Sequence, residues 1–177
     1  HINDHPNETL YVDLRGPFAS PTAHARATDD WLLIAGGMGI TPFLSLLREL
    51  KHQPTRQGNL HLVWTLRESA LLHWLLPLIE RLSSSCAVRC RWHIYLTGNH
   101  PENKTDPVSE VQALHPRLAD IPTLTIRQGR PDWQRLTQQI AASDNQPSCF
   151  ICGPKSLSRE AGRACRAYGW PVREEHF

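Results

Sequence analysis

Four clusters carry the residue types most able to do chemistry: Gly36-Gly37-Met38-Gly39-Ile40-Thr41-Pro42, Leu66-Arg67, Gln128-Gly129-Arg130 and Cys152-Gly153-Pro154. The first is the best defined. An apolar run at 31–35 meets glycines, which tolerate positive φ and close backbone approach. Thr41 and Pro42 then read as an N-cap and a first helical residue. A strand, a glycine turn and a helix N-terminus together leave free N–H groups at the positive end of a dipole, which suits a phosphate. The plainer reading is a βα turn that holds no ligand. Arg67 and Arg130 are equally at home as solvated arginines, and Cys152 taken alone is a small buried hydrophobe.

A metal reading is weaker. Cys86, Cys90, Cys149 and Cys152 could be drawn as a four-thiolate zinc site. Residues 148–152 read as a buried strand, however, and positions three apart on a strand face opposite ways. No metal site is expected. Five cysteines are an odd count that argues against a disulfide framework and for a reducing compartment.

These clusters need elements to hold them, and the chain supplies strands and helices in alternation. Strands are expected at 31–35, 60–66, 88–97, 123–128 and 148–152, with a short terminal strand at 171–177. Helices are expected from Thr41, with a stripe at Phe43, Leu46, Leu47 and Leu50, then at 70–82, 132–142 and 156–168. Pro77 predicts a kink or an early break in the second helix. Arg89, Arg91 and His93 alternate with apolar neighbours, which suits an edge strand better than a central one. Residues 99–122 read as a long surface loop with at most one helical turn near 108–114. The whole is an α/β fold: a three-layer, Rossmann-like parallel sheet of about five strands with helices on both faces. In such a sheet ligands sit beyond the carboxyl ends of the strands, so one ligand could touch all four clusters.

Composition narrows the function. At 177 residues the chain can bury one good core. No stretch approaches ~20 uninterrupted apolar residues, so this segment is not expected to insert in a membrane. A net charge of +2 is too small to argue for nucleic acid. Residues 10–14 read as a strand and 19–28 as a small, polar linker, so residues 1–28 are expected to end a preceding domain and 29–177 to form the domain proper. The opening residue is His1 rather than Met, which suggests a piece of a longer chain.

The motifs, in order, resemble the NAD(P)-binding domain of the ferredoxin–NADP reductase superfamily, in particular its ferric reductase and NADPH oxidase branch. Gly16-Pro17-Phe18-Ala19 is similar to the segment closing that family's flavin-binding barrel. Gly36 through Phe43 resembles its G-x-G-[IV]-T-P-F loop, and Trp64-Thr65-Leu66-Arg67-Glu68 its W-x-x-R-[DE] strand end, with Trp74 matching a later aromatic. Tyr95-Leu96-Thr97-Gly98, Gly129-Arg130-Pro131-Asp132-Trp133, Cys152-Gly153-Pro154 and the terminal Phe177 complete the match.

The resemblance implies a fold preceded by the last strand of a flavin-binding barrel, and an NADPH-binding dehydrogenase domain of a membrane flavoprotein reductase. It implies hydride delivery from NADPH to FAD, for onward transfer via haem to oxygen or ferric iron. Gly37, Met38, Gly39, Ile40, Thr41 and Pro42 would cradle the pyrophosphate and nicotinamide ribose. Arg67 and Arg130, with Glu68 and Gly129 beside them, would flank the adenosine and its 2′-phosphate. Cys152, Gly153 and Pro154 would line the nicotinamide pocket, with Cys152 near the hydride-donating carbon and Phe177 stacked on the flavin. NADH is the alternative nucleotide. FAD would belong to the intact protein and haem to a separate membrane domain, because the barrel's flavin-holding arginine–tyrosine–serine/threonine segment is not found here. The implied partners are that FAD barrel and a haem-containing transmembrane domain of the same chain, at the cytoplasmic face of a membrane. Two other readings stay open: the same domain in a soluble flavoprotein reductase of the flavohaemoglobin or oxygenase-reductase type, and a non-catalytic doubly wound regulatory domain.

Overall fold

The computed structural model describes residues 30–50, 58–85, 88–98, 107–143 and 146–175. The strand expected at 10–14, the barrel remnant and linker of residues 1–28, Cys86 and Phe177 fall outside the described residues.

Trp31–Gly36 forms β1, and every residue of it is buried, as its lack of polar alternation requires. Asn59–Leu66 (β2), Arg89–Leu96 (β3), Leu124–Gln128 (β4), Ser148–Cys152 (β5) and Val172–Glu175 (β6) complete a six-stranded sheet in the order β4-β3-β2-β1-β5-β6. Each neighbouring pair is parallel. The terminal strand extends the expected five by docking on β5, with Cys149 opposite Val172. The chain builds outward from β1 to β4, then returns to the other side of β1. The switch point therefore lies between β1 and β5, where an α/β sheet opens a crevice.

Reversal of direction sends right-handed crossovers to opposite faces. Thr41–Leu50 (α1), Leu72–Ser85 (α2) and Pro107–Leu114 (α3) cover one face, burying Phe43, Leu47, Leu75 and Ile79 against Leu33, Leu62 and Trp92. Trp133–Ser143 (α4) and Lys155–Ala167 (α5) cover the other, where Leu136, Ile140, Ala161 and Cys165 meet Leu32, Ile34 and Ile151.

Three expectations are corrected. Of the kink or early break expected at Pro77, the break does not occur: helix α2 runs on through it. Leu75, Leu76, Ile79 and Leu82 are buried on both sides of the ring, which itself is exposed, and that burial offsets a lost hydrogen bond. The 99–122 stretch holds an eight-residue helix and a 3₁₀ turn, Pro116–Asp120, rather than loop with one turn. Val111, Leu118 and Ile121 anchor it in the core.

Strand β3 lies inside the sheet, between β2 and β4, and not at its edge. Arg89 is exposed, but Arg91 and His93 find partners across the face. His61 Nδ1 and His93 Nε2 are 3.2 Å apart with parallel rings, and Arg91 Nη1 lies 3.2 Å from His61 Nε2. Burial, reinforced for His61 by Arg91 and opposed by Asp30, lowers its pKa to about 4. Burial, then His61, Arg127 and Arg91, lowers that of His93 to about 4. Both rings are neutral at pH 7.

Candidate functional site

A groove with a volume of about 590 Å³ runs across the carboxyl ends of the central strands. Its wall at the switch point is made of backbone. The carbon a side chain at Gly36 would need lies 2.8 Å from Pro154 Cδ and from Leu157 Cδ2. One at Gly153 would lie 3.1 Å from Gly36 N. The ends of β1 and β5 thus touch as only glycines allow. Gly37 adopts φ +52°, with open space where its Cβ would be. Its carbonyl accepts a hydrogen bond from Trp64 Nε1 at 2.8 Å, which ties the turn to β2.

Thr41 does not cap α1. Its backbone is already helical (φ −56°, ψ −46°), because a 3₁₀ turn over Gly37–Ile40 precedes it. Its hydroxyl donates to Met38 O at 2.7 Å. The turn's N–H groups are therefore not screened by a capping side chain; Gly36, which opens the turn, has none to offer.

The other end of the groove is charged. Arg67 and Glu68 follow β2 directly, and Arg130 follows β4 after Gly129, whose φ of +93° makes the turn. Gly129 N donates to Leu96 O at 2.8 Å, which extends the β3–β4 ladder up to this corner. Asp132 caps α4 by accepting the N–H of Arg135 on Oδ1 at 3.1 Å. Among the described residues, neither Arg67 nor Arg130 has a carboxylate partner, although Glu68 and Glu160 border the same space.

The groove brings together Gly37, Met38, Arg67, Glu68, Arg130 and Pro154. Gly39 and Ile40 are buried under the turn, while Thr41, Pro42 and Gly129 sit beside the groove without lining it. Cys152 faces away, into the core under α1 and α2. Burial, and then Glu175, raise its thiol pKa, so it is held as a thiol rather than a nucleophile. Cys149 belongs to the opposite face, which separates the two thiols as strand alternation requires. Among the described residues no cluster of three or more metal-ligating side chains exists.

Sequence reasoning missed Thr65, Thr97, Ser156 and Glu160 as groove residues. The signals were present. Thr65 and Thr97 stand at strand ends inside motifs already singled out, and Ser156 and Glu160 are four apart on the first turns of α5.

Comparison with known proteins bears on this geometry. The family model described as the ferric reductase NAD binding domain matches residues 28–166. NADPH oxidase 5 of Homo sapiens is 26% identical, over 97% of this chain and 27% of its own length. NADPH oxidase 3 of Rattus norvegicus is 31% identical, over 90% of this chain and 30% of its own. The chain therefore spans about a quarter to a third of the curated relatives it matches. Among solved structures, a flavohemoglobin from Malassezia yamatoensis superposes with a TM-score of 0.59 at 18% identity, covering 92% of this chain and 35% of that one, which speaks to the fold.

Proposed function

This chain belongs to the ferric reductase NAD-binding domain family, and on that premise we propose that its strand-end groove binds NADPH for a flavoprotein oxidoreductase. The observation that carries the reading is a single continuous groove with an open, uncapped glycine turn at one end and, at the other, guanidiniums that make no ion pair among the described residues. A dinucleotide has that polarity. Its pyrophosphate suits the backbone N–H groups and helix dipole at Gly37–Gly39, and its adenosine suits Arg67 and Arg130. The volume falls within the range of small-molecule sites.

When bound, the reduced nicotinamide supplies a hydride. The chain's own residues position it and exclude water. Gly36, Gly153 and Pro154 form a close-packed wall that sets how deep a ring can sit, and Leu157 backs it. Cys152 shapes that wall from behind as a neutral thiol. Phe177 is proposed to cover the flavin face. On this reading the domain's partners are a FAD-binding barrel, whose last strand and a following linker are assigned to residues 1–28, and a haem-containing membrane domain. The NADPH oxidases it is similar to support that assignment and a place at the cytoplasmic face of a membrane. No helix of the described residues is long and apolar enough to cross a membrane.

Calorimetric titration of the chain with NADPH, followed by amide shifts, tests the reading. Saturable binding with perturbation at Gly37, Gly39, Arg67 and Arg130 is expected. Absence of binding by NADPH and NADH at millimolar concentration overturns it.

A further inference from the structure

Two imidazoles outside the groove meet on the surface of the α2–α3 layer. His73 is the second residue of α2 and is exposed, and His115 follows directly on α3 and is half-buried. In sequence they are 42 residues apart, yet His73 Nδ1 and His115 Nε2 face each other at 2.6 Å, with ring planes 50° apart. Both backbones are fixed. His73 sits in a helix whose Leu72, Leu75 and Leu76 are buried. The His115 N–H donates to Val111 O at 3.0 Å, and its carbonyl accepts the N–H of Leu118 at 3.0 Å. Among the described residues each ring has the other as its sole hydrogen-bond partner. Two neutral rings make this contact only when one nitrogen donates and the other accepts, so a lone pair already points at the meeting place.

We propose that His73 and His115 form a two-imidazole site for a late first-row divalent cation of the zinc type, which clips the start of α2 to the end of α3. Imidazole is a ligand these ions favour. Water fills the remaining positions, because no third ligating side chain joins the pair among the described residues. Metal–nitrogen bonds of ~2.0–2.1 Å at a tetrahedral angle put the two nitrogens roughly 3.3 Å apart. From 2.6 Å the rings need to part by about 0.7 Å, which a turn of the exposed His73 side chain supplies. The ion replaces the hydrogen bond: the donor ring moves its proton to its other nitrogen, so His73 keeps Nε2–H, His115 keeps Nδ1–H, and both stay neutral. The buried pair cannot do the same. His61 Nδ1 and His93 Nε2 are 3.2 Å apart, but Arg91 Nη1 lies 3.2 Å from His61 Nε2, and a cation there meets a guanidinium instead of solvent. The α3 dipole favours a cation beside His115 and that of α2 opposes it beside His73, which leaves the affinity to the imidazoles. Helix α2 starts directly after Leu71, which with Glu68 borders the groove, so the clip also steadies that wall. The site does not depend on what the groove binds.

The test is titration of the whole chain with zinc, followed by the imidazole nitrogen resonances and by thermal melts, for wild type, His73→Ala and His115→Ala. In the wild type, His73 Nδ1 and His115 Nε2 are expected to shift together and saturate with one ion for the pair, and the melting temperature to climb as zinc is added. Each single variant should bind zinc at this site about tenfold more weakly or worse, and should lose the rise in melting temperature. The remaining histidines are the control, since zinc bound elsewhere moves their resonances alike in the wild type and in both variants. No movement at His73 and His115 overturns the proposal, as does movement of one ring without the other, or a rise in melting temperature that survives in both variants. Where a variant fails to fold, the wild-type resonances decide alone.

Discussion

Strands β2 and β3 carry polar residues at both ends, and the two ends treat them differently. At the amino ends, His61, Arg91 and His93 meet one another, and Asp30 Oδ1 accepts the N–H of Asn59 at 2.6 Å. His61 is 3% exposed. At the carboxyl ends, Arg67, Thr65 and Thr97 open on the groove, joined by Arg130 from the next turn. The arginines there are exposed and make no ion pair among the described residues, although Glu68 and Glu160 border the same groove. Residue types overlap between the two ends; what differs is whether the partners come from within. A satisfied polar cluster reports on stability, and an unsatisfied one on a ligand.

The largest effect that could break this contrast is at the histidines. The unfolded chain takes up protons near pH 6.5 and the folded one only near 4, so the unfolded state binds more protons between them. Stability is full above pH 6.5 and falls as the pH drops toward 4, on the order of 3 kcal/mol for each ring. Thermal melts across that window should show a steep slope that His61→Phe flattens, with NADPH affinity at pH 7 unchanged. A slope of equal steepness in the variant would assign acid sensitivity elsewhere.

The next effect probes the backbone wall of the groove. Gly153→Ala forces a carbon to 2.8 Å from Leu157 Cδ2 and 3.1 Å from Gly36 N, and should cost about 1–3 kcal/mol. The melting temperature should fall by roughly 2–4 °C per kcal/mol. An unchanged melt would mean β1 and β5 part more easily than their contact implies.

Arg67→Ala sharpens the other side of the comparison. NADPH and NADH Kd should both rise about tenfold, about 1.4 kcal/mol, while stability stays within about 0.5 kcal/mol. A destabilised protein with normal affinity would make Arg67 a structural residue. Smallest is Asp132, a partnered polar residue at the ligand end. Asp132→Ala removes the α4 cap and should cost about 1 kcal/mol, whereas Asp132→Asn keeps the cap and should cost a few tenths. Denaturant midpoints of the pair separate the cap from the charge.

Much of this architecture was legible in the residues. The uninterrupted apolar run at 31–35 reads as a doubly covered strand, and Phe43, Leu47 and Leu50 as the buried stripe of α1. Gly37, Arg67, Arg130 and Pro154 were singled out at strand ends and do line one groove. Misread features share a cause. The polar alternation of β3 looked like solvent exposure because its partner, His61, lies 32 residues before His93. Thr41 looked like a cap because a 3₁₀ turn that moves the helix start cannot be read from a hydroxyl followed by proline. An early break at Pro77, offered beside a kink, does not occur because the burial that carries the helix through it comes from other elements.

By itself, then, the sequence determined the alternation of strands and helices, the places where the backbone needs glycine, and the motifs that mark the family. These are local properties, set by periodicity, Cβ sterics and short-range hydrogen bonding. Only the tertiary structure decided which polar groups satisfy one another and which are left facing a cavity. His61 with His93, Gly36 against Gly153, and Arg127 with Arg130 and Arg135 are each brought together by the fold. The first two contacts bridge neighbouring strands, and the third gathers one corner of β4, its turn and α4 around a shared space. Charge and burial act through space, so their balance is settled only when the chain has closed.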